Sequence, residues 1–185
     1  MHKQNFKIIL SFLLLLTSNF IFSQKKFTIV LDAGHGGSDH GANRTYSDIG
    51  RVAEKDITLA ITLKVGAMLE KNRDFKVIYT RKIDEYPSLS DRTNLANRSK
   101  ADLFISTDGF LTLSTKVPTI LVVHDLAFEH FPEHLPFKFR YYLQKFTPKF
   151  VAKSLHTITV SAYSKQDIIE KYGTDSQKIS VVYNG

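Results

Sequence analysis

The chain has 185 residues and a formal net charge of +7, with 43% hydrophobic residues, 23% charged residues and no cysteine. This composition predicts a globular chain with a hydrophobic core and excludes a disordered chain. The lack of cysteine excludes disulfides, cysteine-ligated zinc and a thiol nucleophile, so any metal must be held by His, Asp or Glu. The sequence shows no basic helix with interleaved aromatic residues, so we expect no nucleic-acid partner.

The first 23 residues have the pattern of a secretory signal peptide. Lys3 and Lys7 precede the apolar run 8–16, and residues 17–23 lead from Thr17 to Ser23. The run is shorter than the ~20 residues of a membrane span, which favours cleavage after Ser23 over a membrane anchor. Cleavage removes two lysines and no acid, so the net charge falls from +7 to +5. The mature protein is expected in the periplasm or outside the cell, without a stable membrane anchor.

Strand and helix patterns alternate along the rest of the chain. Apolar, β-rich runs predict strands, and apolar residues at helical spacing predict helices. The predicted strands cover residues 27–31, 75–80, 101–106, 119–124, 157–160 and 179–183. The predicted helices cover residues 54–72, 89–99, 137–145, 148–154 and 164–172, and a long loop is expected at 34–53. The inward stripe of the first helix is predicted to be Ile57, Ile61, Val65, Met68 and Leu69. This alternation predicts an α/β fold with a largely parallel sheet flanked by helices.

Two metal-type side chains follow the first predicted strand. His35 stands in a Gly-His-Gly-Gly loop, and Glu54 opens the first predicted helix. Parallel α/β sheets place their sites at the carboxyl ends of strands, where His35 lies. A hydrolytic zinc needs three protein ligands and an open fourth position, so the pair begins a zinc site without completing it. Two simpler interpretations stay open: a loop histidine bonded to backbone, and a glutamate favoured by the helix dipole.

Six motifs follow one another between residues 29 and 106. They are IVLDAGHGG at 29–37, GA at 41–42, EKD at 54–56, VIYTR at 77–81, SLSDRTNLAN at 88–97 and ADLFIS at 101–106. Together they resemble the zinc-dependent N-acetylmuramoyl-L-alanine amidases of the amidase 3 type. The resemblance implies a secreted hydrolase with Zn²⁺ that cuts the amide between N-acetylmuramic acid and L-alanine in peptidoglycan. It also implies that His35 and Glu54 are metal ligands, and we interpret the matching Arg81 and Arg92 as structural.

The amidase pattern changes after residue 106. The third zinc ligand of that family is a histidine two residues after this strand, where the present chain has Asp108. Asp108 is able to ligate zinc through a carboxylate oxygen, but a turn with Gly109 is the favoured interpretation. The catalytic glutamate of the family has no match, so no catalytic residue is assigned and impaired activity is expected.

The remaining residues carry a different set of motifs. TDGFL at 107–111, HDLAF at 124–128, YSKQDI at 163–168 and VVYNG at 181–185 resemble the N-terminal domain of a GT-B glycosyltransferase of the glycosyltransferase 4 family. The resemblance implies a Rossmann-like domain fragment without a donor domain. His124 is either an acceptor-site residue of that family or a strand-end histidine bonded to backbone.

The two resemblances predict a chimera. It consists of a signal peptide at 1–23, part of an amidase domain at 24–106 and a glycosyltransferase fragment at 107–185, with a seam near residues 102–108. Strands from residues 119–183 are expected to extend the sheet that begins at Phe27. The favoured function is a peptidoglycan amidase; the alternatives are a nucleotide-sugar-dependent glycosyltransferase fragment and an inactive fusion.

Overall fold

The computed structural model describes residues 25–184, so the predicted signal peptide lies outside the described residues. The strands are β1 (Phe27–Asp32), β2 (Asn43–Tyr46), β3 (Gly50–Ala53), β4 (Phe75–Tyr79), β5 (Leu103–Ser106), β6 (Thr119–Val122), β7 (His156–Thr159) and β8 (Ile179–Val181). The helices are α1 (Glu54–Leu69), α2 (Leu89–Arg98), α3 (Ala127–His130), α4 (Phe137–Lys153) and α5 (Ala162–Tyr172). Short 3₁₀ turns lie at Pro132–His134 and Ser176–Lys178. Within residues 25–184, no helix combines the length and the apolar character that crossing a bilayer requires.

Six of the strands form one parallel sheet, in the order β4-β1-β5-β6-β7-β8. The predicted α/β fold with a largely parallel sheet is confirmed. Strands from the second half of the chain extend the sheet begun by β1, since β6 pairs with β5 and places Thr119 beside Phe104. The chain runs from β1 outward to β4 and then returns past β1 to β5. Such a reversal opens a crevice at the carboxyl ends of the strands, and here that crevice lies between β1 and β5.

Two regions of the chain differ from the predicted elements. The loop predicted at 34–53 contains the β2–β3 hairpin, whose first strand is exposed along its whole length and so shows no apolar alternation. The helices predicted at 137–145 and 148–154 form the single helix α4, which includes Pro148. Pro148 has no N–H to donate within the helix, but Thr147, Phe150 and Val151 are buried around it. Packing of this face therefore outweighs the loss of one hydrogen bond.

Helix α1 buries its polar side and exposes its apolar side, so the predicted inward stripe is wrong. The buried residues are Thr58, Thr62 and Gly66, together with Lys55. Four residues of the stripe are exposed, Ile57 by 48%, Ile61 by 51%, Val65 by 39% and Met68 by 69%, and the fifth, Leu69, is partly buried. A Cβ at Gly66 would collide with the Tyr79 ring, so glycine lets the helix lie close to β4. Small side chains thus decide which side of α1 meets the sheet.

The two faces of the sheet are covered unequally. Helix α2 packs through Ala96 on Val30 and Phe104, and α4 and α5 pack through Phe150 and Ile168 in the cluster that contains Leu121. These strand residues share one face, because paired residues of parallel strands point the same way. On the other face, the paired residues Ile105 and Ile120, and Val122 and Ile158, are only partly buried. Among the described elements, α1 is the helix that lies on this second face.

Candidate metal centre

The two metal ligands predicted from the sequence, His35 and Glu54, and the weaker candidate Asp108 meet at the carboxyl edge of the sheet. His35 follows β1, Asp108 follows β5, and Glu54 opens α1. One ligand-type atom from each lies within 4.8 Å of the others. The His35 Nε2 atom is 3.2 Å from Glu54 Oε2 and 3.1 Å from Asp108 Oδ1. Asp108 does precede a glycine with positive φ, Gly109 at +71°, yet its side chain also reaches His35. The left-handed conformation of Gly109 and the contact of Asp108 with His35 therefore coexist.

The turn that carries His35 is held by two buried arginines. His35 has φ of +56°, a left-handed conformation that costs an L residue about 1–2 kcal/mol. Arg92 donates to the backbone carbonyl of His35 at 2.7 Å and pairs with Asp32 at 2.8 Å. Arg81 donates through Nε to the Ala33 carbonyl at 3.0 Å. Both arginines bond backbone carbonyls and Arg92 also pairs with Asp32, which supports their structural interpretation.

Two glycines allow the candidate ligands to approach one another. A Cβ at Gly34 would lie 2.5 Å from the Cβ of Asp108. A Cβ at Gly41, where φ is +61°, would lie 2.6 Å from His35 Cδ2 and 2.7 Å from Glu54 Oε2. These distances are shorter than van der Waals contact, so any larger residue would push a candidate ligand out of place. Space requires glycine at position 34, and both space and backbone conformation require it at position 41.

Hydrogen bonds orient two of the three candidate ligands. The Nδ1 atom of His35 lies 3.0 Å from Asp39 Oδ2, and Asp39 Oδ1 accepts the Gly41 N–H at 3.1 Å. Glu54 Oε2 accepts the Ala42 N–H at 2.8 Å. A proton on Nδ1, shared with Asp39, leaves Nε2 directed at Glu54 and the cavity. Sequence reasoning missed Asp39, whose only signal is an acid four residues after His35 in a glycine-rich loop.

The charges of the three groups are strongly coupled. Hydrogen bonds to Asp108 and Glu54 raise the pKa of His35 to about 11, although burial opposes them. The hydrogen bond with His35 lowers the pKa of Glu54 to about 2. Burial raises the pKa of Asp108, and the contact with His35 offsets part of this rise. In the metal-free protein, His35 is therefore an imidazolium between acidic groups, and a divalent cation held there would replace its proton.

A cavity of about 420 Å³ opens beside these side chains. His124 and Asp125 line it from the carboxyl end of β6. His124 Nε2 donates to the Thr107 carbonyl at 3.2 Å, and Asp125 accepts the Ala127 N–H at 2.8 Å. His124 thus makes the backbone hydrogen bond expected of a strand-end histidine, and it also lines the cavity.

Comparison with known proteins gives a family match for part of the chain. Residues 29–107 match the family model described as N-acetylmuramoyl-L-alanine amidase, which confirms the predicted amidase resemblance of this segment. His35 and Glu54 lie inside the matched residues, whereas Asp108 and His124 lie beyond them.

Individual relatives cover the same part of the chain. The chain is 39% identical over 98 residues to the probable N-acetylmuramoyl-L-alanine amidase AmiB of Haemophilus influenzae, covering 53% of this chain and 22% of that protein. It is 45% identical over 76 residues to the endolysin of Bacillus phage SPP1, covering 41% of this chain and 26% of the endolysin. A solved N-acetylmuramoyl-L-alanine amidase from Clostridium difficile 630 has a TM-score of 0.42 and 33% identity, covering 55% of this chain and 46% of that chain. The matched segment spans only about a quarter of the two curated relatives.

Proposed function

We propose that this chain carries the zinc site of an N-acetylmuramoyl-L-alanine amidase and acts on the amide between N-acetylmuramic acid and L-alanine in peptidoglycan. One observation carries the proposal: donor atoms of His35, Glu54 and Asp108 converge within 4.8 Å at the crevice between β1 and β5. The segment that supplies the first two of these residues is also the segment that matches the amidase family model.

The donor set fits zinc. One imidazole nitrogen and two carboxylate oxygens are ordinary zinc ligands, and a tetrahedral ion bonded at about 2.0–2.1 Å needs them roughly 3.3 Å apart. His35 Nε2 lies 3.2 Å from the Glu54 oxygen and 3.1 Å from the Asp108 oxygen. Three protein ligands would leave one position of a bound zinc open, as in hydrolytic zinc sites. When bound, zinc would supply the Lewis acidity for hydrolysis of an amide.

The chain's own residues hold this arrangement in place. Asp39 fixes the orientation of the His35 ring through Nδ1, and the Ala42 N–H fixes the Glu54 carboxylate. Such outer contacts typically change metal affinity by about 10–100-fold. Asp108 takes the place of the third histidine of the family, and the family's catalytic glutamate has no counterpart in the sequence. We therefore propose impaired turnover relative to amidases with the full set.

Export is part of the proposal. The amide lies in the cell wall, and the signal-peptide pattern of residues 1–23 would deliver the chain to the periplasm or the outside. The relative from Haemophilus influenzae is named as an amidase of the same kind of bond. The glycosyltransferase resemblance of residues 107–185, and with it the chimera, stays a prediction, and we propose no transferase activity.

Two measurements on the purified chain test the proposal. We expect zinc at a molar ratio near one by elemental analysis after dialysis, and its loss in His35→Ala. His134→Ala is the matched control, because His134 is an exposed histidine outside the cavity. We also expect slow release of stem peptides from purified peptidoglycan, abolished in Glu54→Gln. Retention of zinc by His35→Ala would contradict the site, and zinc without any peptide release would contradict the reaction.

A further inference from the structure

The cavity beside the candidate metal centre has a polar wall and an apolar wall. The polar wall consists of His35, Glu54 and Asp108 with their neighbours. The apolar wall is formed by Phe110, Val123, Phe128, Phe139 and Leu143. Every residue of the apolar wall comes after residue 107, where the amidase match ends. The shape and chemistry of this half of the cavity are therefore set by the part of the chain outside the match.

The floor of the apolar wall belongs to the packed core. Val123 is 4% exposed and Phe128 is 8% exposed, and both are members of the large core cluster with Leu126 and Phe150. A surface built into the core keeps its position when a ligand binds, so a ligand need not order it first. The floor is thus a preformed surface next to the candidate metal ligands.

The rim of the apolar wall comes from α4. Phe139 and Leu143 are four residues apart, so they lie on one side of the helix and face the cavity together. Phe139 is 45% exposed, which leaves apolar area that a ligand would cover. Covering such area releases water and favours binding.

We propose that this wall is an apolar subsite, which takes the hydrophobic group of a ligand whose amide or hydroxamate end reaches His35, Glu54 and Asp108. The inference rests on the proposed function for the metal end of the ligand and adds a second ligand class beside peptidoglycan: amides and hydroxamates with an aliphatic or aromatic acyl group. The cavity volume of about 420 Å³ lies within the 300–1,000 Å³ typical of small-molecule sites. A sugar ring placed against this wall would leave its hydroxyl groups without partners, which weakens binding.

The first test measures hydroxamate binding to the zinc-loaded full chain by calorimetry. Hexanohydroxamate has four methylenes more than acetohydroxamate, and burying at least three of them at ~0.8 kcal/mol each should tighten its binding by at least about 50-fold. We expect Phe139→Ser to reduce this gain to less than about fivefold while leaving acetohydroxamate binding unchanged. Phe137→Ser is the matched control, since Phe137 lies on the same helix but outside the cavity. Equal binding of the two hydroxamates would overturn the subsite.

The second test does not need zinc and so separates the two proposals. Binding of 4-phenylbutyrate to the metal-free chain is followed by saturation-transfer NMR, in the wild type and the same two variants. We expect transfer to the phenyl protons that falls at least about threefold in Phe139→Ser and persists in Phe137→Ser. A chain that holds no zinc but shows this pattern would refute the proposed function and keep the subsite. Transfer unaffected by Phe139→Ser would refute the subsite whatever the zinc content.

Discussion

Removing the Arg92 side chain should destabilise the protein more than any exposed charge on the same helix. Arg92 and Asp32 are 4% and 7% exposed in their side chains and form an ion pair at 2.8 Å. Arg92 also donates to the carbonyls of Pro87 at 3.0 Å and His35 at 2.7 Å. Arg92→Met keeps much of the side-chain volume but leaves the Asp32 carboxylate buried without its cation. Breaking a buried pair in this way costs about 3–5 kcal/mol.

That cost is a large part of the about 5–15 kcal/mol that stabilises a typical domain. For a chain of this size, about 3–5 kcal/mol corresponds to a fall in Tm of about 6–20 °C. Urea unfolding followed by circular dichroism gives the free energy of unfolding, and a thermal scan gives Tm. Arg98→Met is the control, because Arg98 is an exposed residue of the same helix, and it should change the free energy by less than about 0.5 kcal/mol.

A second variant separates the ion pair from simple packing. If the uncompensated Asp32 charge dominates the cost, Arg92→Met combined with Asp32→Leu should recover part of the lost stability. The reasoning is refuted if Arg92→Met costs less than about 1 kcal/mol, or if the double variant is less stable than Arg92→Met alone.

Four further outcomes follow from the site and from α1. Gly41→Ala should weaken zinc binding at least about 10-fold in calorimetry. The Cβ of the alanine would lie 2.6 Å from His35 Cδ2, at a backbone φ of +61°. Unchanged zinc affinity would contradict the close packing around Gly41. Asp108→His should strengthen zinc binding by about tenfold, because imidazole suits zinc and completes a two-histidine, one-glutamate set; weaker binding would show that the carboxylate is the better ligand here. Zinc binding at pH 7 should release about one proton, because the pKa of His35 is raised to about 11 in the metal-free chain. Calorimetry in buffers of different ionisation enthalpy measures the number of protons released. A number near zero would contradict a protonated His35. Ile61→Lys should change the free energy of unfolding by less than about 0.5 kcal/mol and reduce binding of the dye ANS, because Ile61 is 51% exposed. A loss of stability above about 2 kcal/mol would show that the apolar stripe of α1 is buried in a core.

The sequence alone predicted the fold class and favoured two of the three candidate metal ligands. Burial of one face of a strand or helix makes its apolar residues recur at a characteristic spacing. That spacing is enough to locate most of the strands and helices of this chain. His35 and Glu54 were recognisable because they stand at the ends of elements that put ligands on one edge of a parallel sheet. The roles of Arg81 and Arg92 could also be inferred from their positions.

The orientation of α1 could not be read from the sequence. Its apolar residues follow a helical period, which predicts an inward stripe. The structure instead places Thr58, Thr62 and Gly66 on the sheet, because close approach to Tyr79 requires small side chains. Periodicity identifies an apolar side of a helix, but the partner surface decides whether that side is covered.

Only the tertiary structure showed that Asp108 contacts His35 and where the cavity lies. In sequence, an Asp before a Gly is first of all a turn residue, and nothing local shows which groups lie across the sheet. The pairing of β1 with β5 places Asp108 3.1 Å from His35, and the position of α4 brings Phe139 to the same cavity. These contacts join residues far apart in the chain, so they depend on strand order and helix packing, which no local pattern encodes.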